Sequence, residues 1–300
     1  MRFEVILNRD SGTLRTLDLD AFAKRTTEIL TRAGHGVAIV LTEGADVERA
    51  IDAALEGPCD VVMIGGGDGT VSAAAGKLKD GGKALAVLPA GTMNLFARSL
   101  GVPLRLDEAV AAFAGGEVRA VDLASANGKV FVHQFSVGLH AKLIRLREKH
   151  AFRSRIGKIG ASLRAGLAAF FRPPRLRVLL SIDGEETRVS TAGIGIANNL
   201  FGEGHLPYTD TPDGGVLGVY VTRARRVRDL FWFALDLMRG RWRDSDKVDI
   251  RQGKEVTLTL SAPHRRFGCA IDGELCELEE VTVLRIHPGA LKVLAPAPSS

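Results

Sequence analysis

The residues with the clearest chemical potential are Gly65-Gly66-Gly67-Asp68-Gly69-Thr70, glycines set around a single acid. They follow the apolar run Val61-Val62-Met63-Ile64 and precede a helix-forming stretch. Few side chains obstruct such a turn, so backbone N–H groups can close around a phosphate. A helix that follows aims its positive end at the same point. The glycines also predict φ > 0 where strand turns into helix. Asp68 places a carboxylate among those amides, which makes chemical sense where a metal ion binds or a proton moves.

The elements that must hold this loop are legible on either side of it. Phe3–Leu7 reads as a buried strand that breaks at Asn8-Arg9-Asp10-Ser11-Gly12. From Asp18 to Arg32, Leu19, Phe22, Ala23, Thr26, Ile29 and Leu30 recur at helical spacing. Gly36–Leu41 is a second strand, ending at Thr42, and an alanine-rich helix follows near Asp46–Leu55. After the glycine loop, helix continues to Leu78. Strand Ala84–Leu88 then ends in Pro89-Ala90-Gly91-Thr92-Met93-Asn94. Alternating strand and helix predict a parallel sheet covered on both faces, with ligands beyond the carboxyl ends of its strands. The loops Asn8–Gly12, Thr42, Gly65–Thr70 and Pro89–Asn94 therefore converge on one crevice.

Near Val121-Asp122 the pattern changes to short strands with turn signals, as in an antiparallel β-sandwich. Candidate strands are Val130–Val137, Arg175–Ile182, Thr187–Ala192, Val216–Thr222, Glu255–Leu260 and Val281–Ile286. Asp183-Gly184 and Asp272-Gly273 each lie between such runs and predict type I′ hairpins. The expected organisation is α/β: a nucleotide-binding domain over residues 1–121, then a β-rich domain over 122–289.

Composition narrows the class. With 46% hydrophobic and 25% charged residues, the chain is that of a globular protein. It has no apolar run long enough for a transmembrane helix, and its N-terminus lacks a signal-peptide layout. Three cysteines without a Cys-x-x-Cys pair fit a reducing cytosol and argue against a zinc site or a disulfide framework. The net charge of +5 is modest, and its excess falls in the second half. Residues 153–172 contain no acid, and residues 223–243 interleave Phe231, Trp232, Phe233, Leu235, Leu237, Met238 and Trp242 with arginines. Basic amphipathic helices of this kind suit an anionic membrane surface, the alternative being a helix packed on the sandwich with a solvated basic face. No nucleic-acid module accompanies them, so nucleic acid is not an expected partner.

Taken together, these segments resemble the diacylglycerol kinase-like lipid kinases, which include bacterial soluble diacylglycerol kinases and sphingosine and ceramide kinases. The resemblance runs through Asn8–Gly12, Gly65–Thr70, Leu88–Leu100, Ser136-Val137-Gly138-Leu139, Ile196-Ala197-Asn198, Pro212-Asp213-Gly214-Gly215 and Ile271-Asp272-Gly273-Glu274, in that order. The glycine loop alone is shared with NAD kinases and phosphofructokinases; the combination is more specific. It implies a phosphofructokinase/NAD kinase-like first domain, to which residues 290–300 return. It also implies ATP held by Asn8, Ser11, Gly12, Thr42, Gly65, Gly66, Gly67, Gly69, Thr70, Gly91, Thr92 and Asn94, with Mg2+ bridging phosphate oxygens.

The acceptor implied by the resemblance is a lipid hydroxyl, on a cytoplasmic protein bound peripherally at the inner face of the membrane. A soluble acceptor such as NAD, or a regulator without turnover, are the competing readings. Transfer to an alcohol asks for a carboxylate that takes the hydroxyl proton. Asp272 is the first candidate, with Asp68 at the phosphates and Glu274 as a metal or nucleotide contact; Asp68 as the base is the alternative. Ile182-Asp183-Gly184-Glu185 repeats the same four residues, and chain order favours Asp272 over Asp183.

Asp68, Asp213 and, more weakly, Asp122 are the metal candidates. Departures from the family pattern are Arg9 in place of a proline, Leu95 in place of an acid after Asn94, and His140, which receives no role. A two-residue turn at Asp272-Gly273 would set Cys269 directly opposite Cys276, within disulfide reach. A reducing compartment predicts free thiols there.

Overall fold

The computed structural model describes residues 1–151, 175–203, 206–224, 226–261 and 268–297. It divides into two compact units. The first comprises Met1–Leu123, Asp210–Gly214 and His287–Ser300; the second comprises Ala124–Thr209 and Gly215–Ile286.

The first unit alternates β1 (Arg2–Asn8), α1 (Leu19–Arg32), β2 (Gly36–Thr42), α2 (Val47–Glu56), β3 (Val61–Gly66), α3 (Asp68–Leu78) and β4 (Ala84–Pro89). Helices α4 (Leu95–Ser99) and α5 (Leu106–Ala114) follow. Helix α1 starts where the Asp18 carboxylate accepts the Ala21 N–H at 3.0 Å, and it buries Phe22, Thr26 and Leu30, four residues apart. The sheet order is β2-β1-β3-β4, all parallel. Its register brings the carboxyl ends level: Asn8 pairs with Thr42, Leu7 with Gly65, and Gly66 with Pro89. Strands β3 and β4 are buried at every position, as in a sheet covered on both faces.

β5 (Glu117–Ala126) leads into the second unit, which holds β6 (Lys129–Phe131), β7 (Gln134–Gly138), α6 (Leu139–Ala151), β8 (Leu176–Ile182), β9 (Glu185–Thr191), β10 (Gly193–Asn198), β11 (Leu217–Thr222), α7 (Val227–Met238), β12 (Val248–Gly253), β13 (Glu255–Leu260), β14 (Cys269–Ile271) and β15 (Glu274–Cys276). Strand β16 (Val281–Ala295) is the last element among the described residues. One antiparallel sheet runs β12-β11-β10-β7-β14-β15, and a second runs β16-β13-β8-β9. Their inner faces share one core: Phe135, Ile194, Ile196 and Val219 with Val178, Leu180, Val256, Leu258 and Leu284. Farther along β16, Val293 pairs with Leu85 of β4 in the first unit.

Several local expectations change. The run Val130–Val137 is not one strand; it splits at Val132 and His133, whose amides turn to a side chain instead of a neighbouring strand. The basic segment 223–243 is helical only over Val227–Met238, and Gly240 at φ 70° supplies the left-handed residue just beyond its end. The other basic segment, 153–172, lies outside the described residues. Cysteines 269 and 276 are joined as a disulfide, not free thiols, with Cα atoms 5.4 Å apart. The hairpin register forces this proximity whatever the compartment, because Cys269 stands opposite Cys276 on the core face. Among the described residues no helix is long and apolar enough to cross a membrane.

Candidate active site

The first unit gathers every sequence-predicted nucleotide residue at the carboxyl edge of its sheet. Strand β3 runs through Gly65 and Gly66, Gly67 alone makes the turn, and Asp68 is already the first residue of α3. Gly67 offers no side-chain cap. The first-turn N–H groups of α3 thus point outward as a ready anion site. The expected positive φ is absent here: none of Gly65, Gly66, Gly67 and Gly69 is left-handed. Close approach is what requires glycine. A Cβ on Gly66 would meet Thr70 at 2.6 Å, and one on Gly91 would meet the Asn94 Oδ1 at 3.0 Å and the Gly67 Cα at 3.1 Å.

The left-handed residue of the site is Asn94, at φ 52°. Its side chain closes a ring on Gly91, accepting the Gly91 N–H at 2.8 Å and donating to the Gly91 carbonyl at 3.0 Å. Directly after it, the Leu95 N–H donates to Asp68 at 3.3 Å. The Pro89–Asn94 and Gly65–Thr70 loops are thereby cross-tied. The first loop joins them. Asn8 accepts the Asp10 N–H at 3.0 Å, Arg9 donates its N–H to the Thr42 carbonyl at 2.9 Å, and Thr13 donates to Ala90 at 3.0 Å. Asn8, Ser11 and Thr42 are buried, whereas Thr92 is exposed. Beside Thr42 opens a cavity of about 530 Å3, lined among others by Arg9, Val40, Glu43 and Arg49, large enough for a small ligand.

Burial lifts the Asp68 carboxyl above its ordinary range, with the N–H groups of Leu95, Asp68 and Asn94 pulling back down. A desolvated carboxylate offset only by amides is a fit partner for a cation, and magnesium needs just one or two carboxylates beside phosphate oxygens. The other metal candidates are arranged differently. Asp122 is buried and accepts the Gly289 N–H at 2.8 Å, with its own N–H on the Pro212 carbonyl, while Asp213 is exposed. Among the described residues no group of three or more His, Cys, Asp or Glu is assembled for a metal.

In the second unit, both Asp-Gly pairs form the expected type I′ turns: Asp183 and Gly184 have φ 49° and 90°, Asp272 and Gly273 47° and 85°. Each aspartate also clasps the adjoining strand. Asp183 accepts the Lys254 and Glu255 N–H groups at 2.8 Å. Asp272 accepts those of His133 and Gln134 on one oxygen and that of Val132 on the other, all at 2.9 Å. The repeats differ in setting: Asp183 is exposed, whereas Asp272 is buried. Glu274, two residues on, is exposed.

Strand β7 and the residues flanking it carry further polar groups to which the sequence assigned no role. The Ser136 hydroxyl and the His140 Nδ1 are hydrogen-bonded at 2.7 Å, so His140 has a partner on β7. His133 stacks near Phe201, and its Nε2 is sealed from water without a partner. The only signal was a polar His133-Gln134 pair interrupting an apolar run. Burial, and secondarily the charge of His140, depress the His133 imidazole to about 3. An unfolded chain protonates the same ring near pH 6.5. Stability contributed by the neutral ring is thus intact above about pH 6.5 and lost as pH falls toward 3, at about 1.4 kcal/mol per unit. His133→Phe keeps a ring and removes the nitrogen. Urea melts should show its stability advantage over wild type widening by about 2 kcal/mol between pH 6.5 and 5; a constant gap would refute the assignment.

Comparison with known proteins adds lineage to this geometry. The sequence profile of the diacylglycerol kinase catalytic domain matches residues 2–126, and that of the YegS C-terminal NAD kinase beta sandwich-like domain matches residues 134–295. A Pseudomonas aeruginosa protein named "Probable lipid kinase YegS-like" is 30% identical over 287 residues, 89% of this chain and 87% of its own. A Synechocystis protein is 27% identical over 253 residues, and there the match spans 80% of this chain but only 55% of the relative. A crystal structure of a diacylglycerol kinase from Bacillus anthracis superposes with a TM-score of 0.72 at 18% identity, covering 99% of this chain and 97% of that one.

Proposed function

Since the chain belongs to the diacylglycerol kinase-like lipid kinase family, we propose that it transfers the γ-phosphate of ATP to a hydroxyl group of a membrane lipid, diacylglycerol or a relative. The observation that carries the donor half is the uncapped start of α3, with Asp68 in its first turn tied to the Asn94 loop. Amides of that turn receive phosphate oxygens. Gly12, Thr42, Thr70 and Thr92 border the same edge, and the cavity beside Thr42 suits the nucleoside. Asp68 would hold magnesium together with phosphate oxygens, and the ion's contribution is to neutralise charge on the transferring group.

The acceptor half rests on Asp272. Its carboxylate takes the proton of the lipid hydroxyl as that oxygen bonds to the γ-phosphorus and the bond to the ADP oxygen breaks. Three amides hold the carboxylate in one orientation, which serves proton transfer. Glu274, exposed on the same hairpin, is in this reading a metal or nucleotide contact. A structural cation at Asp213 and Asp122 has weaker support, because Asp122 is buried, Asp213 is exposed, and no group of three or more metal-binding side chains is assembled among the described residues.

In this reading the protein works at the cytoplasmic face of an anionic membrane, which it meets through basic residues of segments 153–172 and 223–243. The test is direct: incubate the purified chain with γ-labelled ATP, magnesium and a total lipid extract, and determine the mass of the labelled product. A labelled phospholipid is expected. Label on a water-soluble acceptor alone, or on nothing, would overturn the reading.

A further inference from the structure

Helix α7 carries two apolar faces, and only one of them is spent on the fold. Leu230, Phe233 and Leu237 form the inner face; Leu230 is buried, and Phe233 and Leu237 pack on a cluster of Phe201, Tyr220 and Trp242. On the opposite side, Arg228, Phe231, Trp232, Leu235, Met238 and Arg239 fall at the spacing of one helical stripe. The large members of that stripe are open to solvent: Phe231 is 56% exposed, Trp232 49% and Met238 68%. Phe231 and Trp232 stand edge to face, 5.8 Å between ring centroids, as one aromatic knob. Single exposed apolar residues need no explanation, but a contiguous aromatic and methionine crest does.

Charge says what the crest faces. Arg228 and Arg239 close its two ends, and Arg226, Arg241 and Arg243 beside them are exposed. The two acids of the helix fall one turn to either side of Trp232, and Asp229 stands 3.8 Å from the Arg228 guanidinium. Asp229 and Asp236 are only partly exposed, and Asp236 accepts the Ser245 hydroxyl at 2.7 Å. Beyond the helix Asp244 and Asp246 are exposed, Asp246 paired with Lys247. An apolar stripe with cations at both ends, its neighbouring acids partly buried and paired, is the pattern of a helix lying in the headgroup boundary of an anionic bilayer.

We propose that α7 is a membrane-penetrating element. Phe231, Trp232 and Met238 enter the acyl boundary of an anionic bilayer, and the flanking arginines pair with lipid phosphates. The proposal rests on the lipid-kinase reading and sharpens it from attraction at a surface to insertion at a named helix.

Trp232 is the exposed one of two tryptophans; Trp242 is 4% exposed. With the full chain, vesicles of phosphatidylcholine mixed with phosphatidylglycerol should shift tryptophan emission to the blue, and lipids brominated in the acyl chain should quench it. Pure phosphatidylcholine should do neither. Trp232→Phe should abolish the spectral change yet still sediment with vesicles. Phe231→Ser with Trp232→Ser and Met238→Ser should weaken sedimentation about tenfold or more, while sparing turnover of a short-chain diacylglycerol dissolved as monomers. Sedimentation of the wild type without any change at Trp232 would overturn the proposal. So would concentration-dependent self-association abolished by the triple substitution, since a second copy would then cover the crest. If Trp232 inserts but no lipid is ever phosphorylated, the kinase reading falls and the insertion stands.

Discussion

Asp272→Asn should lower lipid phosphorylation by about a hundredfold or more, whereas Asp183→Asn should leave turnover near that of wild type. The pair is informative because the two aspartates occupy the same kind of turn and make the same kind of clasp, two amides for Asp183 and three for Asp272. An asparagine at either place keeps one acceptor oxygen and presents an NH2 where a carboxylate oxygen was. Asp272→Asn is then expected to lose about 1–2 kcal/mol of stability, because its two oxygens both accept amides and one amide is left facing an NH2. Asp183 receives both of its amides on one oxygen and should lose less. Asp183→Asn reports the effect of removing the charge from such a turn while its amides keep their acceptor. Turnover and urea melts on both variants separate the two contributions. Activity losses that simply track the stability losses would reduce Asp272 to a turn residue and move the base to Asp68.

The second large effect is at Asp68, and its two readouts move in opposite directions. Asp68→Asn keeps an oxygen for the Leu95 N–H but removes the charge, so phosphoryl transfer should fall on the order of a hundredfold or more. Without nucleotide or magnesium, however, the variant should melt at a higher temperature than wild type at neutral pH. The sign follows from burial. Because the folded-state carboxyl titrates above its unfolded value, the folded protein is penalised once pH exceeds that range, and an amide escapes the penalty. Magnesium with ATP should raise the melting temperature of wild type more than that of the variant. A variant that melts lower and retains turnover would remove Asp68 from the site.

The parts of this molecule legible in its sequence are those set by local pattern. Buried strands such as Val61–Ile64 and loops such as Asn8–Gly12 declare themselves by composition, and the parallel register then brings their ends level. The two Asp-Gly turns were equally readable, because few other dipeptides tolerate two left-handed residues. Long-range choices were not. The break of Val130–Val137 depends on Asp272, far along the chain, capturing three amides. Strand β12, Val-Asp-Ile-Arg-Gln-Gly, is too polar to announce itself at the edge of its sheet. The glycine loop was read on incomplete grounds: contacts such as Gly66 with Thr70 demand glycine there, while Asn94 takes the left-handed conformation. The disulfide was visible as a geometry, but compartment logic pointed the other way.

Strand β16 has a consequence for how the chain is made. Val281–Arg285 ladder with β13 in the second unit, and Val293 pairs with Leu85 of β4 in the first. Each sheet therefore waits for residues synthesised after the strands they pair with. Until then β4 and β13 each present an unsatisfied strand edge, the type of surface that pairs with other chains. The first unit, despite being translated early, cannot finish folding as it emerges from the ribosome. Cutting the chain between the units would leave one of the two sheets without its closing strand.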